Sequence, residues 1–202
     1  ILPAFSQKDI QAISIAKKHN VKYFTLSFMD NANEVKLFKK MYPKAIKIYK
    51  IETKQGMLHF DEILQESDGI LIDRGDLSRE IPGERIPIAQ KIMIKKCNLA
   101  KKPVFVATNV LESMSENLKP MKSEINDVAN TILDGVNGLV LTKESAIGKH
   151  PVETVNMLKT IIHHTETMQN LSKKQALSYI TGQKFSGSLV EPHGGVLVNR
   201  FK

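Results

Sequence analysis

The segment Ile46-Lys47-Ile48-Tyr49-Lys50-Ile51-Glu52 ends an apolar alternation in two opposite charges. In an extended chain a period of two puts Ile46, Ile48, Lys50 and Glu52 on one face, which turns from apolar to charged where the strand emerges. Charges placed there lose hydration, a loss offset by mutual pairing, a metal ion or an anionic ligand. A plain ion pair between Lys50 and Glu52 and a functional site both meet that demand. A second apolar run ends in Asp73-Arg74-Gly75-Asp76-Leu77. Its glycine lets the backbone approach a ligand, and Asp76 offers a second hard oxygen beside Glu52. Mg²⁺ commonly takes one or two protein carboxylates and completes its octahedron with water and substrate oxygens, so Glu52 and Asp76 suffice as a pair. A helix opening after Gly75 would also present backbone N–H groups to a substrate carboxylate. An Arg-Gly-Asp triplet is equally at home in a surface turn. Val106-Ala107-Thr108-Asn109 and Leu141-Thr142-Lys143-Glu144 close two further apolar runs with hydroxyls, an amide and charges. Each alone reads as an ordinary turn; together they describe a polar mouth.

The elements that must carry these tips are five short apolar runs at 23–28, 46–50, 69–72, 103–107 and 138–141, each suited to a buried strand. Each leads into a helical pattern. Ser6 precedes one with Ile10, Ile13 and Ile15, and Asn31 begins one with Val35, Leu37, Phe38 and Met41; others fit 55–65, 84–100, 124–133 and 152–168. Strand alternating with helix at a repeat of roughly 25 to 35 residues predicts parallel strands with right-handed crossovers. Five strands complete a small open sheet but not an eight-stranded barrel, which favours the doubly wound architecture. Against it, no Gly-rich phosphate loop follows the first strand, and nearly every strand ends in polar residues, as a barrel mouth requires.

Composition narrows the classes further. The chain has 202 residues, 42% hydrophobic and 25% charged, enough for a buried core and ordinary for a soluble globular protein. No apolar run approaches the ~18 residues of a membrane span, and Ile1-Leu2-Pro3 lacks the features of a signal peptide, so a cytoplasmic location is expected. The single Cys97 rules out an internal disulfide framework and reads as a buried structural thiol. The net charge of +8 is spread through every helical segment and reads as a solvated surface. Without tryptophan and with 6% aromatic residues, the chain shows no nucleic-acid footprint. His163 and His164 diverge on a helix, while His19, His59 and His150 lack ligand spacing, so no zinc site is expected. Beyond about residue 169 the pattern changes: 171–183 is polar with room for one short helix, 185–188 reads as a linker, and 189–200 as a turn entering a strand.

An ordered set of motifs resembles pyruvate kinase from Leu2 to about Glu166. The set comprises Leu2-Pro3-Ala4-Phe5-Ser6, Tyr49-Lys50-Ile51-Glu52, Asp61-Glu62-Ile63-Leu64, Ser67-Asp68-Gly69-Ile70, Arg74-Gly75-Asp76-Leu77, Ala107-Thr108, Leu111-Glu112-Ser113-Met114, Asp127-Val128-Ala129-Asn130, Leu133-Asp134-Gly135 and Leu141-Thr142-Lys143-Glu144. The resemblance implies the last five βα units of a (β/α)₈ barrel over 1–168 and Mg²⁺-dependent phosphoryl transfer from phosphoenolpyruvate to ADP, giving pyruvate and ATP in glycolysis. It makes Lys50 the cation facing the transferring phosphoryl group and the enolate, and Glu52 and Asp76 the Mg²⁺ ligands. Arg74 belongs with the substrate site, to which Gly75 and Asp76 offer backbone N–H groups. Thr108 donates a hydrogen bond to the substrate, and Thr142 keeps a hydroxyl on the proton path. The family's K⁺ ligands fall outside the chain. Asp30, Asn109 and Lys143 stand where the family usually has arginine, glutamine and glycine. Residues 169–188 are expected to be helix and linker. The stretch Pro192-His193-Gly194-Gly195-Val196-Leu197-Val198-Asn199-Arg200 resembles the start of ATP sulfurylase (sulfate adenylyltransferase), suggesting a fusion. These implications predict little turnover by the 202 residues alone, and either self-association or pairing with the missing barrel half through unpaired strand edges. The alternatives are a non-catalytic docking domain for a sulfurylase and a Mg²⁺-dependent lyase acting on pyruvate enolate.

Overall fold

A computed structural model describes residues 5–182. Its elements run α1 (Gln7–Lys18), β1 (Tyr23–Leu26), α2 (Ala32–Met41), β2 (Ile46–Ile51), α3 (Lys54–Leu58), α4 (Phe60–Glu66), β3 (Gly69–Asp73), α5 (Arg74–Glu80), α6 (Ile86–Leu99), β4 (Val104–Ala107), α7 (Lys122–Leu133), β5 (Gly138–Val140), α8 (Lys143–Ala146), α9 (Pro151–Gln169) and α10 (Lys173–Thr181). Helix starts follow local chemistry. Ser6 closes a capping box with Asp9 on α1, Asn31 accepts from the N–H groups of Asn33 and Glu34 on α2, and Thr53 accepts from Gly56 N–H on α3. Pro87 sits in the first turn of α6, where its missing N–H costs nothing.

The pattern at 55–65, read as one helix, is two. α3 stops at His59, whose ring nitrogen Nδ1 lies 2.9 Å from the Asp30 carbonyl oxygen and 3.1 Å from that of Gln55, and α4 restarts at Phe60. The segment from residue 84 likewise begins as a 3₁₀ turn, Gly83–Arg85, before α6 takes over. Residues 183–202 lie outside the described part of the chain, and with them the linker and the stretch resembling ATP sulfurylase.

All five strands are parallel and neighbours in sequence order, β1-β2-β3-β4-β5. That order decides between the two architectures: a doubly wound sheet reverses strand order at a switch point, whereas a barrel adds each strand to the same side of the last. β3, at the centre, is buried along its whole length, while among the described strands β1 and β5 pair on one side only. The core lies on one face. Lys47, Tyr49 and Ile51 of β2 are buried, and Tyr49 and Ile51 pack with Ile70, Ile72, Val104 and Val106 of the neighbouring strands against Ile63, Met93, Ile94 and Cys97 of the helices. Full burial of each such isoleucine contributes about 1.5–3 kcal/mol. The opposite face carries Ile46, Ile48 and Lys50, all more open to solvent. A second cluster, with Val128, Ile132, Leu158 and Ile161, packs α7 against α9. No helix among the described residues is long and apolar enough to cross a membrane.

Candidate active site

Pairing in register brings the strand ends level. Lys50 lies opposite Leu71 and Asp73 opposite Ala107, so Glu52, Asp73 and Thr108 meet at one rim. The Lys50 ammonium stands 2.8 Å from Glu52 Oε2 and 3.0 Å from Asp73 Oδ2. Thr108 Oγ1 donates to Asp73 Oδ1 at 2.7 Å, and the Gly75 N–H donates to the same oxygen at 3.2 Å. Glu52, 1% exposed, accepts from the Phe28 N–H through Oε1 at 2.6 Å, which ties the loop after β1 to the rim. Asp76 faces Arg79 at 3.2 Å, and one carboxylate oxygen from each of Glu52, Asp73 and Asp76 lies within 4.8 Å of the others.

The electrostatics follow from that packing. Burial alone would lower the Lys50 pKa, but hydrogen bonds and charge from Glu52 and Asp73 outweigh it and hold the ammonium above its ordinary range. Burial would raise the Asp73 carboxyl, and the Thr108 hydroxyl, Lys50 and the Gly75 N–H together hold it below the usual value. Glu52 Oε2 is buried and has the Lys50 ammonium, at 2.8 Å, as its one polar neighbour among the described contacts. A buried carboxylate oxygen with spare acceptor capacity, beside two more hard oxygens, fits a Mg²⁺ ion held by Glu52 and Asp76.

Unusual backbone shapes the rim. Phe28, Thr108, Asn109 and Leu111 all have left-handed φ, of 54°, 72°, 57° and 55°. For a β-branched residue such as Thr108 this conformation costs on the order of 1–3 kcal/mol and persists only where surroundings hold it. Arg74 holds it. Its Nε and Nη2 donate to the Thr108 carbonyl at 3.0 and 2.8 Å, Nη2 donates to the Asn109 carbonyl at 2.9 Å, and Nη1 pairs with both oxygens of Asp127 at 3.0 and 2.8 Å. Gly75 lets this loop approach, for a Cβ there would stand 2.6 Å from Thr108 Cγ2.

Lys50, Glu52, Gly75, Asp76 and Thr108 are thus gathered at one rim. Arg74, expected to face a substrate, is 8% exposed and gives its guanidinium to the β4 loop and Asp127, the placement of a positioning residue. Thr142 stands at the tip of β5, where its hydroxyl and N–H donate to Glu144 Oε2 at 3.1 and 2.8 Å. Lys143 pairs with Glu112, which also accepts from Asn109. Asp30 accepts from the Thr53 hydroxyl, and its N–H donates to Glu34 at 2.8 Å. Sequence reasoning passed over Asp73. The signal was there: Leu71 lies beside Lys50, and two residues on from Leu71 the same face carries Asp73.

Comparison with known proteins agrees with this geometry. The family described as pyruvate kinase, barrel domain, matches residues 1–155. The chain is 43% identical over 182 residues to pyruvate kinase of Candida albicans, an alignment covering 88% of this chain and 34% of that protein. It is 44% identical over 169 residues to pyruvate kinase of Thermococcus litoralis, covering 82% and 36%, and 39% identical over 194 residues to that of Lactobacillus delbrueckii subsp. bulgaricus, covering 94% and 33%. The chain therefore spans about a third of the length of these relatives. Five parallel strands in sequence order, a charged rim at their C-terminal ends and these matches together make the chain a member of the pyruvate kinase family, carrying part of its barrel domain.

Proposed function

We propose that this part of the barrel binds Mg²⁺ and the phosphoenolpyruvate end of a Mg²⁺-dependent phosphoryl transfer to ADP, carried out by the full-length protein. The observation that supports it is the convergence of Lys50, Glu52, Asp76 and Thr108 on one rim, with Glu52 buried and one of its oxygens short of hydrogen bonds. In this role Lys50 stabilises negative charge on the transferring phosphoryl group and the enolate. Gly75 and Thr108 donate hydrogen bonds to the substrate carboxylate, and Thr142 serves the proton path. A Mg²⁺ ion on Glu52 and Asp76 would polarise substrate oxygens there. Phosphoryl transfer needs mainly positioning and charge stabilisation, which this set of side chains offers. K⁺ dependence follows from the family, not from residues at this rim.

The test is pyruvate formation from phosphoenolpyruvate and ADP by the full-length protein, coupled to lactate dehydrogenase. Lys50→Ala should lower kcat about 10²- to 10³-fold, as removal of one charge-stabilising group does. Unchanged turnover in that variant would overturn the proposal.

A further inference from the structure

The two donors assigned above to the substrate carboxylate, and the Lys50 ammonium beside them, are already engaged by one side chain. Lys50 Nζ, Thr108 Oγ1 and the Gly75 N–H all converge on the Asp73 carboxylate, at 3.0, 2.7 and 3.2 Å. Asp73 is 8% exposed and stands at the last position of β3. Capping α5 accounts for one of these bonds, that from Gly75; the other two come from β2 and from the loop after β4. We propose that the Asp73 carboxylate fills the seat of the ligand's carboxylate, so that a small carboxylate ligand binds only by displacing it, and Asp73 sets the affinity and selectivity of the site.

Two physical effects act in the same direction. A ligand that needs a seat held by an internal group binds with an affinity reduced by the fraction of molecules in which the seat is free. Charge adds to this, because Asp73 brings a third carboxylate beside Glu52 and Asp76 and offsets the Lys50 ammonium that an anion would otherwise meet. Selectivity follows from shape. The two Asp73 oxygens are held by donors from different elements, Oδ2 by Lys50 of β2 and Oδ1 by Thr108 of the loop after β4 and Gly75 of α5, so the seat suits a planar two-oxygen group. A compact carboxylate adjoining a second oxygen, able to meet the cation as well, competes best.

The inference rests on the rim being an anion seat, and the experiment separates the two ideas. Oxalate is titrated calorimetrically into the full-length protein at saturating Mg²⁺, with Asp73→Ala, Asp73→Asn, Lys50→Ala and the double variant Lys50→Ala with Asp73→Ala. Asp73→Ala should bind oxalate at least about tenfold more tightly, the fold-change expected if the seat is free in under a tenth of molecules. Asp73→Asn keeps an acceptor for the Gly75 N–H and so guards against a folding defect; it should show a smaller gain in the same direction. The gain should vanish in the double variant. Equal or weaker oxalate binding in both Asp73 variants overturns the proposal, and if Lys50-dependent binding persists in the unsubstituted protein, the functional reading survives that failure. Weaker Mn²⁺ binding in Asp73→Ala without tighter oxalate binding also overturns it, making Asp73 a metal ligand instead. A gain in oxalate affinity in a protein that forms no pyruvate from phosphoenolpyruvate upholds the displacement and removes the functional reading.

Discussion

Replacing Arg74 with methionine keeps an unbranched apolar stem but removes every donor that Arg74 offers the loop after β4. Three bonds to the Thr108 and Asn109 carbonyls disappear, at 3.0, 2.8 and 2.9 Å, together with the pair to Asp127. The Asp127 side chain is 41% exposed, so water recovers most of that ion pair and it adds little. The carbonyls are the larger loss. Each charge-assisted bond is worth about 1.5–3 kcal/mol where its acceptor stays buried, but the loop can open to water, so the net cost falls near 3 kcal/mol for the three together. That cost is local, because the Arg74 guanidinium grips the backbone carbonyls of left-handed Thr108 and Asn109, whose side chains reach only Asp73 and Glu112. Amide hydrogen exchange over 104–111, read by mass spectrometry on the full-length protein, should accelerate about a hundredfold in Arg74→Met, since 1.4 kcal/mol corresponds to each factor of ten. Acceleration of less than about threefold would show that the loop holds itself and that Arg74 does not position Thr108.

Gly75→Ala should weaken oxalate binding roughly tenfold, a loss of about 1.4 kcal/mol, because the new Cβ would meet Thr108 Cγ2 at 2.6 Å and push the hydroxyl off the rim. Calorimetry checks it. The Thr108 hydroxyl, Lys50 and the Gly75 N–H outweigh burial and hold the folded Asp73 carboxyl below the usual carboxylate range, so its stabilising effect is fully present above that range and is lost as pH falls through the depressed pKa. Thermal melts between neutral and strongly acid pH should therefore show a shallower acid limb in Asp73→Asn. Cys97 is wholly buried, and burial pushes its thiol up to about 12, so Ellman's reagent should leave it untouched until denaturant is added.

The architecture was legible because its signals are local and repeated. Every strand run lay within two residues of the observed strand, and Ser6 and Asn31 cap the helices they announced. The choice between barrel and open sheet could not be read from apolar runs, since it depends on which strand pairs with which. At the site, Lys50 and Glu52 were legible because a strand's period of two is rigid; the face they share is the one observed. Asp73 does not stand among the sequence candidates, because its role depends on Lys50 and Thr108 reaching it from β2 and the loop after β4. The path of Thr108 was not legible at all, for its hydroxyl reaches Asp73 only through a left-handed turn held by Arg74 from another strand end. Arg74 itself looked like a ligand-facing cation because nothing in the sequence around it announces Asp127, which lies on α7.

A single divalent-cation site at this rim, shared with a small carboxylate, underlies both the proposed function and the displacement of Asp73. Electron paramagnetic resonance of Mn²⁺ added to the full-length protein tests it most directly. One tight Mn²⁺ site is expected, weakened at least about tenfold by Glu52→Gln or Asp76→Asn and strengthened by oxalate when Lys50 is present. Mn²⁺ binding that ignores both substitutions and does not respond to oxalate would contradict it.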